Sequence, residues 1–226
     1  MKPLLTLAFA CVMAFAAATA SSQTVVGNVK NGEAKIALCI GCHGITGYQA
    51  SFPEIYKVPR IAGQSATYIE AALQEYQEGA RKHPTMGAVA SNLTKQDMAD
   101  LAAYYSQLGV VAGDAPPAVP ARQPSERVST LIKRNAADCT TCHGANFNTP
   151  IPGAPKLAGQ YPDYLYAALK AYKTVNNPHV GRNNAVMGAQ VQPYTHPELK
   201  ELASYIASLP GEVKTVGESR FHRSPD

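Results

Sequence analysis

Five cysteines occur in the 226 residues, and four of them fall in two matching arrangements. Cys39-Ile40-Gly41-Cys42-His43 and Cys139-Thr140-Thr141-Cys142-His143 each set two thiols three residues apart, with a histidine directly after. On a helical turn, positions i and i+3 share a side, so both thiols can form thioethers to the two vinyl groups of one macrocycle. The histidine that follows then lies under the metal as its proximal ligand. This is the attachment chemistry of a c-type haem, and the chain carries it twice. Other chemistries that use paired cysteines fit less well. A thioredoxin-like redox pair needs a βαβ setting, and none is visible. A zinc ribbon spaces its two pairs about 15–20 residues apart, whereas these begin at residues 39 and 139.

A haem iron held by one histidine has a sixth position, and its occupant decides between electron transfer and chemistry on a bound ligand. The repeat of the motif restricts the candidates, because two homologous units should solve the problem in the same way. Met86 aligns with Met187, and each precedes a glycine in what reads as irregular sequence after a helix. His83 aligns with Asn184, His179 with Glu78 and His196 with Lys95, so no histidine pair repeats. Met98 aligns with Leu199 and shares a helical face with Leu101, Ala102 and Tyr105, which marks it as core. The alternatives to Met86 and Met187 as ligands are core packing for both, and His83 as ligand in the first unit.

The rest of the chain repeats with the motifs. Pro59-Arg60-Ile61-Ala62-Gly63-Gln64 recurs as Pro155-Lys156-Leu157-Ala158-Gly159-Gln160, and Tyr68, Leu73 and Tyr76 recur as Tyr164, Leu169 and Tyr172. Arg81 and Met86 recur as Arg182 and Met187, and Thr94, Leu101, Ala102 and Tyr104 as Thr195, Leu202, Ala203 and Tyr205. Each unit reads as mostly helical. Short helix faces lead into both haem motifs, amphipathic spacing covers Ser65–Gln77 and Pro162–Lys173, and closing helices start at the capping-box patterns of Thr94 and Thr195. No alternating strand pattern stands out. The expected organisation is two tandem helical domains, 21–109 and 126–210, each around one covalent haem. A proline-rich linker over 110–125 joins them, and a tail over 211–226 without a counterpart in the first unit is expected to be mobile.

Residues 1–20 have the three-part pattern of a secretory signal: Lys2, an apolar run from Leu4 to Ala18, and small residues at Ala18 and Ala20. A cleaved signal places the mature chain, without Cys11, in the periplasm; an uncleaved anchor is the alternative. The net charge of +4, with no dense Lys/Arg run, excludes a nucleic-acid partner.

On these residues the chain resembles the di-haem class I c-type cytochromes, and most of all the cytochromes c4. The resemblance runs from about Asn28 to Leu209. It rests on the two Cys-x-x-Cys-His motifs, the Ala-Gly-Gln blocks, the arginine and Met-Gly segments, and the closing helices with Ala-Ala-Tyr-Tyr and Ala-Ser-Tyr-Ile. It implies an all-α fold of two cytochrome c domains related by a pseudo-two-fold axis, with the haems near the interface. It implies His43 and Met86 on one iron, His143 and Met187 on the other, and thioethers from Cys39, Cys42, Cys139 and Cys142. It also implies that the Pro59 and Pro155 carbonyls accept from the histidine rings, and that Arg81 and Arg182 meet haem propionates. Tyr104, Tyr105 and Tyr205 are expected to pack between first and last helices. With both irons closed, no small molecule reacts there and no residue is catalytic. The expected role is electron carriage from a membrane quinol-oxidising complex or other donor to a terminal oxidase by transient docking, with membrane-surface association left open. The alternative is service to a sulfide- or thiosulfate-oxidising dehydrogenase, as its cytochrome subunit or its electron acceptor.

Overall fold

The structure is a computed structural model that describes residues 25–113 and 118–217. The signal segment lies outside the described residues. The first unit runs α1 (Val29–Glu33), α2 (Ala37–His43), β1 (Gln49–Ala50), β2 (Tyr56–Lys57), α3 (Ala66–Glu78), β3 (Arg81–Lys82), α4 (Pro84–Ala90) and α5 (Lys95–Gln107). The second runs α6 (Glu126–Ile132), α7 (Cys139–His143), α8 (Pro162–Ala171), β4 (Gly181–Arg182), α9 (Ala185–Val191) and α10 (His196–Ala207). Among the described residues no helix is long and apolar enough to cross a membrane.

The closing helices form where the capping boxes predict them. Thr94 accepts from the Asp97 N–H while Asp97 accepts from the Thr94 N–H, and Thr195 and Glu198 repeat the exchange. Each box satisfies two of the amide donors that a helix start leaves without partners. In the second unit, α10 buries Leu199, Leu202, Ala203, Tyr205 and Ile206 against Val128, Leu131 and Ile132 of α6 and Leu165 of α8. Full burial of a large aliphatic side chain contributes about 1.5–3 kcal/mol, so this face dominates the stability of the helix. In the first unit α5 crosses α1 closely. A Cβ on Gly32 would lie 2.1 Å from the Asp100 carbonyl and 2.7 Å from the Tyr104 Cβ, so only glycine allows the crossing. Met98 is fully buried, as its spacing predicts. Tyr104 packs at the α1–α5 contact, and Tyr205 is buried with α6.

The strands are two residues long, too short for alternation to register in the sequence. β1 pairs antiparallel with β2 inside the first unit. β3 pairs antiparallel with β4 across the units, with Arg81 opposite Arg182.

That pairing belongs to a two-fold arrangement in which each Ala-Gly-Gln block grips the other. Gln64 Nε2 donates to the Lys156 carbonyl at 2.9 Å, and Gln64 Oε1 accepts from the Lys156 N–H at 2.8 Å. Gln160 does the same to Arg60, at 2.9 Å both ways. Both glutamines are buried, and these bonds satisfy both ends of each amide. Lys156 Nζ donates to the Gly63 carbonyl, and an Arg60 Nη1 donates to the Gly159 carbonyl. Around this centre lie the ion pairs Lys57–Asp163 at 3.4 Å and Lys170–Glu54 at 2.7 Å.

Over residues 211–217 the tail does not behave as the sequence predicts, and residues 218–226 lie outside the described residues. Residues 211–217 pack against both units, and Val213 is 1% exposed. The missing counterpart in the first unit had suggested a loose end, but non-local contacts seat this segment.

Candidate functional site

In each unit a short helix carries the two thiols and the histidine: α2 ends at His43 and α7 spans Cys139–His143. Asp138 caps α7 by accepting from the Thr141 N–H, whereas α2 has no side-chain cap. Among the described residues none of the four cysteines is in a disulfide, and all four are half-buried.

The histidines are positioned alike. His43 Nδ1 lies 2.8 Å from the Pro59 carbonyl, and His143 Nδ1 lies 3.0 Å from the Pro155 carbonyl. A carbonyl can only accept, so each ring carries its proton on Nδ1 and leaves the Nε2 lone pair free. Burial lowers the pKa of both rings, which keeps them neutral, and at His43 nearby His83 adds to the effect. A neutral imidazole fixed through one nitrogen and open at the other is a prepared metal ligand. Paired unoxidised thiols on the same helix complete the donor set of a covalent haem, so the residues fit the group.

The methionines are not in irregular sequence. Met86 lies on α4 and Met187 on α9, at equivalent positions of two capped helices. His83 Nδ1 accepts from the Met86 N–H at 3.3 Å, and Asn184 Oδ1 accepts from the Met187 N–H at 3.0 Å. This shared capping role explains why a histidine and an asparagine occupy one repeat position. Pro84 at the start of α4 costs no hydrogen bond. Met187, like Cys139, Leu157, Leu169 and Tyr172, is partly buried against the second core. In the first unit Cys39, Ile40, Ile61 and Leu73 flank the core, while Met86 is half-buried on α4.

Sequence reasoning missed the surroundings of the paired arginines. Arg81 is 5% exposed, stacked on Tyr68 and Tyr76, bonded to the Tyr68 hydroxyl and paired with Glu75 at 2.8 Å. Arg182 stacks on Tyr164 and Tyr172 and donates to the Tyr164 hydroxyl at 3.0 Å. Among the described residues no carboxylate forms an ion pair with Arg182. The repeat of these tyrosines was the one available signal.

Two similar helical units, each with a prepared histidine and two cysteines on one helix, define a di-haem c-type architecture. The family model for cytochrome c matches residues 29–109 and 126–210. Cytochrome c4 from Azotobacter vinelandii is 30% identical over 194 residues, covering 81% of this chain and 90% of that one. The crystal structure of reduced recombinant cytochrome c4 from Pseudomonas stutzeri superposes with a TM-score of 0.62 at 27% identity, covering 82% of this chain and 100% of that one. A thiosulfate dehydrogenase electron acceptor from Stutzerimonas stutzeri strain A1501 is 29% identical over 188 residues, covering 78% and 81%. The chain belongs to the cytochrome c family, in its di-haem cytochrome c4 branch. It carries two covalent haem c groups and transfers electrons rather than transforming a substrate.

Proposed function

We propose that this chain is an exported periplasmic carrier, with thioethers from Cys39 and Cys42 to one haem and from Cys139 and Cys142 to the other. His43 and Met86 are the axial ligands in the first unit, and His143 and Met187 in the second. The observation that carries this reading is the duplicated histidine geometry: in both units Nδ1 is committed to a proline carbonyl and Nε2 is free. The equivalent capped helices under Met86 and Met187 support the methionine assignment. When bound, each haem supplies one-electron Fe(III)/Fe(II) chemistry. The residues around it set how readily that happens. The proline carbonyls fix the imidazole planes, the thioethers of Met86 and Met187 favour the reduced state, and the apolar cores keep water away. Arg81 and Arg182 would meet haem propionates; Arg81 is already paired with Glu75, and Arg182 forms no ion pair with a carboxylate among the described residues.

The carrier takes electrons from a membrane quinol-oxidising complex or another donor and passes them to a terminal oxidase through small transient contacts. A second reading, as electron acceptor of a thiosulfate-oxidising dehydrogenase, is favoured by the similarity to the thiosulfate dehydrogenase electron acceptor. Mixing the oxidised holoprotein with a purified dehydrogenase and thiosulfate tests it, since rapid reduction of the haem bands is expected only under that reading. For the closed-iron assignment, the test is a visible difference spectrum of the reduced holoprotein with and without carbon monoxide. No change is expected; a carbon monoxide complex at either haem overturns it.

A further inference from the structure

The tail leaves the second unit and lies on the segment of the first that follows Pro59, whose carbonyl orients His43. The Lys214 N–H donates to the Ala62 carbonyl at 2.9 Å in an antiparallel bridge. Lys214 Nζ donates to the Gly109 carbonyl at 3.2 Å. Gly63, at φ +76°, accommodates the tail so closely that a Cβ there would lie 2.5 Å from the Glu212 carbonyl. Glu212 also accepts from Lys156 Nζ at 2.5 Å, and Lys156 Nζ in turn reaches the Gly63 carbonyl at 2.8 Å. The tail is anchored on its own unit too, because the Glu212 N–H donates to Asn148 Oδ1 at 2.9 Å. Further on, Thr215 Oγ1 lies 3.3 Å from the Tyr161 hydroxyl, which accepts from the Gly47 N–H at 3.1 Å.

These contacts bracket one loop of the first unit. Gly47 follows His43 by four residues, and Ala62 follows Pro59 by three. The Pro59 carbonyl that orients His43 therefore lies on a loop braced at both ends by residues 212–215 or by Tyr161, which they touch. The strap also meets the Pro155 loop of its own unit, through the bonds of Glu212 to Asn148 and Lys156, whereas the bonds of Lys214 go to Ala62 and Gly109 of the first unit.

We infer that residues 211–217 form a strap from the second unit that positions the Pro59-bearing loop of the first, and through the Pro59 carbonyl the His43 ring, so that the redox properties of the first haem depend on the tail. The inference rests on the proposed role of His43 as a ligand. Partners that orient a metal-bound histidine change ligand basicity and the behaviour of the metal. The strap residues themselves touch no haem ligand directly, so they are positioning residues.

The test compares the full holoprotein with two variants, a chain ended at Pro210 and Lys214→Pro, which keeps the length and removes the N–H donated to Ala62. The readouts are the two midpoint potentials and the hyperfine-shifted proton resonances of each haem, which assign the signals to one unit. The expected result in Lys214→Pro is a shift of the first haem's potential and ring resonances with those of the second haem unchanged; the shortened chain, which also loses the Glu212 bonds to Asn148 and Lys156, is expected to shift the first haem by more than the second. Unchanged potentials in both variants overturn the inference, and so do equal shifts at the two haems in Lys214→Pro, which would mean general loosening. Lys214→Pro keeps the test available where the shortened chain does not mature. A carbon monoxide complex in the unaltered holoprotein would count against the ligand assignment. Unshifted potentials in carbon monoxide-silent protein count against the strap alone.

Discussion

Each iron site is built from a few residues whose roles separate cleanly on substitution. With Met86 and Met187 as the proposed sixth ligands, Met86→Ala and Met187→Ala are each expected to open one iron, to bind carbon monoxide at one haem and to lower that haem's potential, read by difference spectra and redox titration. His83→Asn discriminates between the two candidates in the first unit. Asparagine at the equivalent position 184 caps the methionine helix equally well, so this variant is expected to stay silent to carbon monoxide. A carbon monoxide complex in His83→Asn would make His83 the ligand. Acid stability is also decided at single residues. Hydrogen bonds from Lys35, with help from Thr94, hold the Asp97 carboxyl down at about 2. The bond from Arg134, with the Thr195 N–H, holds Glu198 at about 2. Both carboxylates are depressed on folding, so their contribution is present above the unfolded values near 4 and is lost as pH falls through about 2. Unfolding followed by far-ultraviolet circular dichroism should show the midpoint temperature falling between these limits, and Lys35→Met should flatten the part due to Asp97.

At the scale of elements, the capped closing helices carry the core of each unit. Removing a box oxygen by Thr195→Ala leaves the Glu198 N–H without its acceptor and should cost about 1 kcal/mol, read as a lower thermal midpoint. Asn184→Ala should act differently. It removes the cap of α9, the helix that carries Met187, so its effect should appear in the spectrum of the second haem with the first unchanged. These helices were legible in sequence because capping and 3.6-residue periodicity are local. The methionine segments read as irregular because α4 and α9 are seven residues long, and a glycine inside each weakens the helical signal. Their formation depends on His83 and Asn184 turning back onto the chain, and on packing.

For the whole molecule, the interface is the element with no local signature. Gln64 and Gln160 look like ordinary polar residues after a glycine, yet each is buried and satisfies a backbone N–H and carbonyl of the other unit. Gln64→Leu leaves both groups of Lys156 buried without partners and should destabilise by about 1–3 kcal/mol, measured by thermal unfolding of the holoprotein. Because the two clasps use different partners, Gln160→Leu should add to it. The unequal treatment of Arg81 and Arg182 belongs to this scale as well. Glu75 faces one arginine, and its repeat partner Ala171 cannot face the other, so the two units differ electrically although their motifs match.

The chain by itself determined what depends on neighbours in sequence. Cys39, Cys42 and His43, with Cys139, Cys142 and His143, name the cofactor because thioether spacing is local. The repeat of Met86 as Met187 named the candidate ligands because duplication preserves order. The tertiary structure decided what depends on distance through space: the proline carbonyls on His43 and His143, the clasp of the two Ala-Gly-Gln blocks, the pairing of Arg81 with Arg182, and the tail laid across the first unit. Each joins backbone groups with no side-chain signature, or residues up to about 150 positions apart, and such contacts are selected by burial and hydrogen bonding in the folded molecule rather than by the order of the residues.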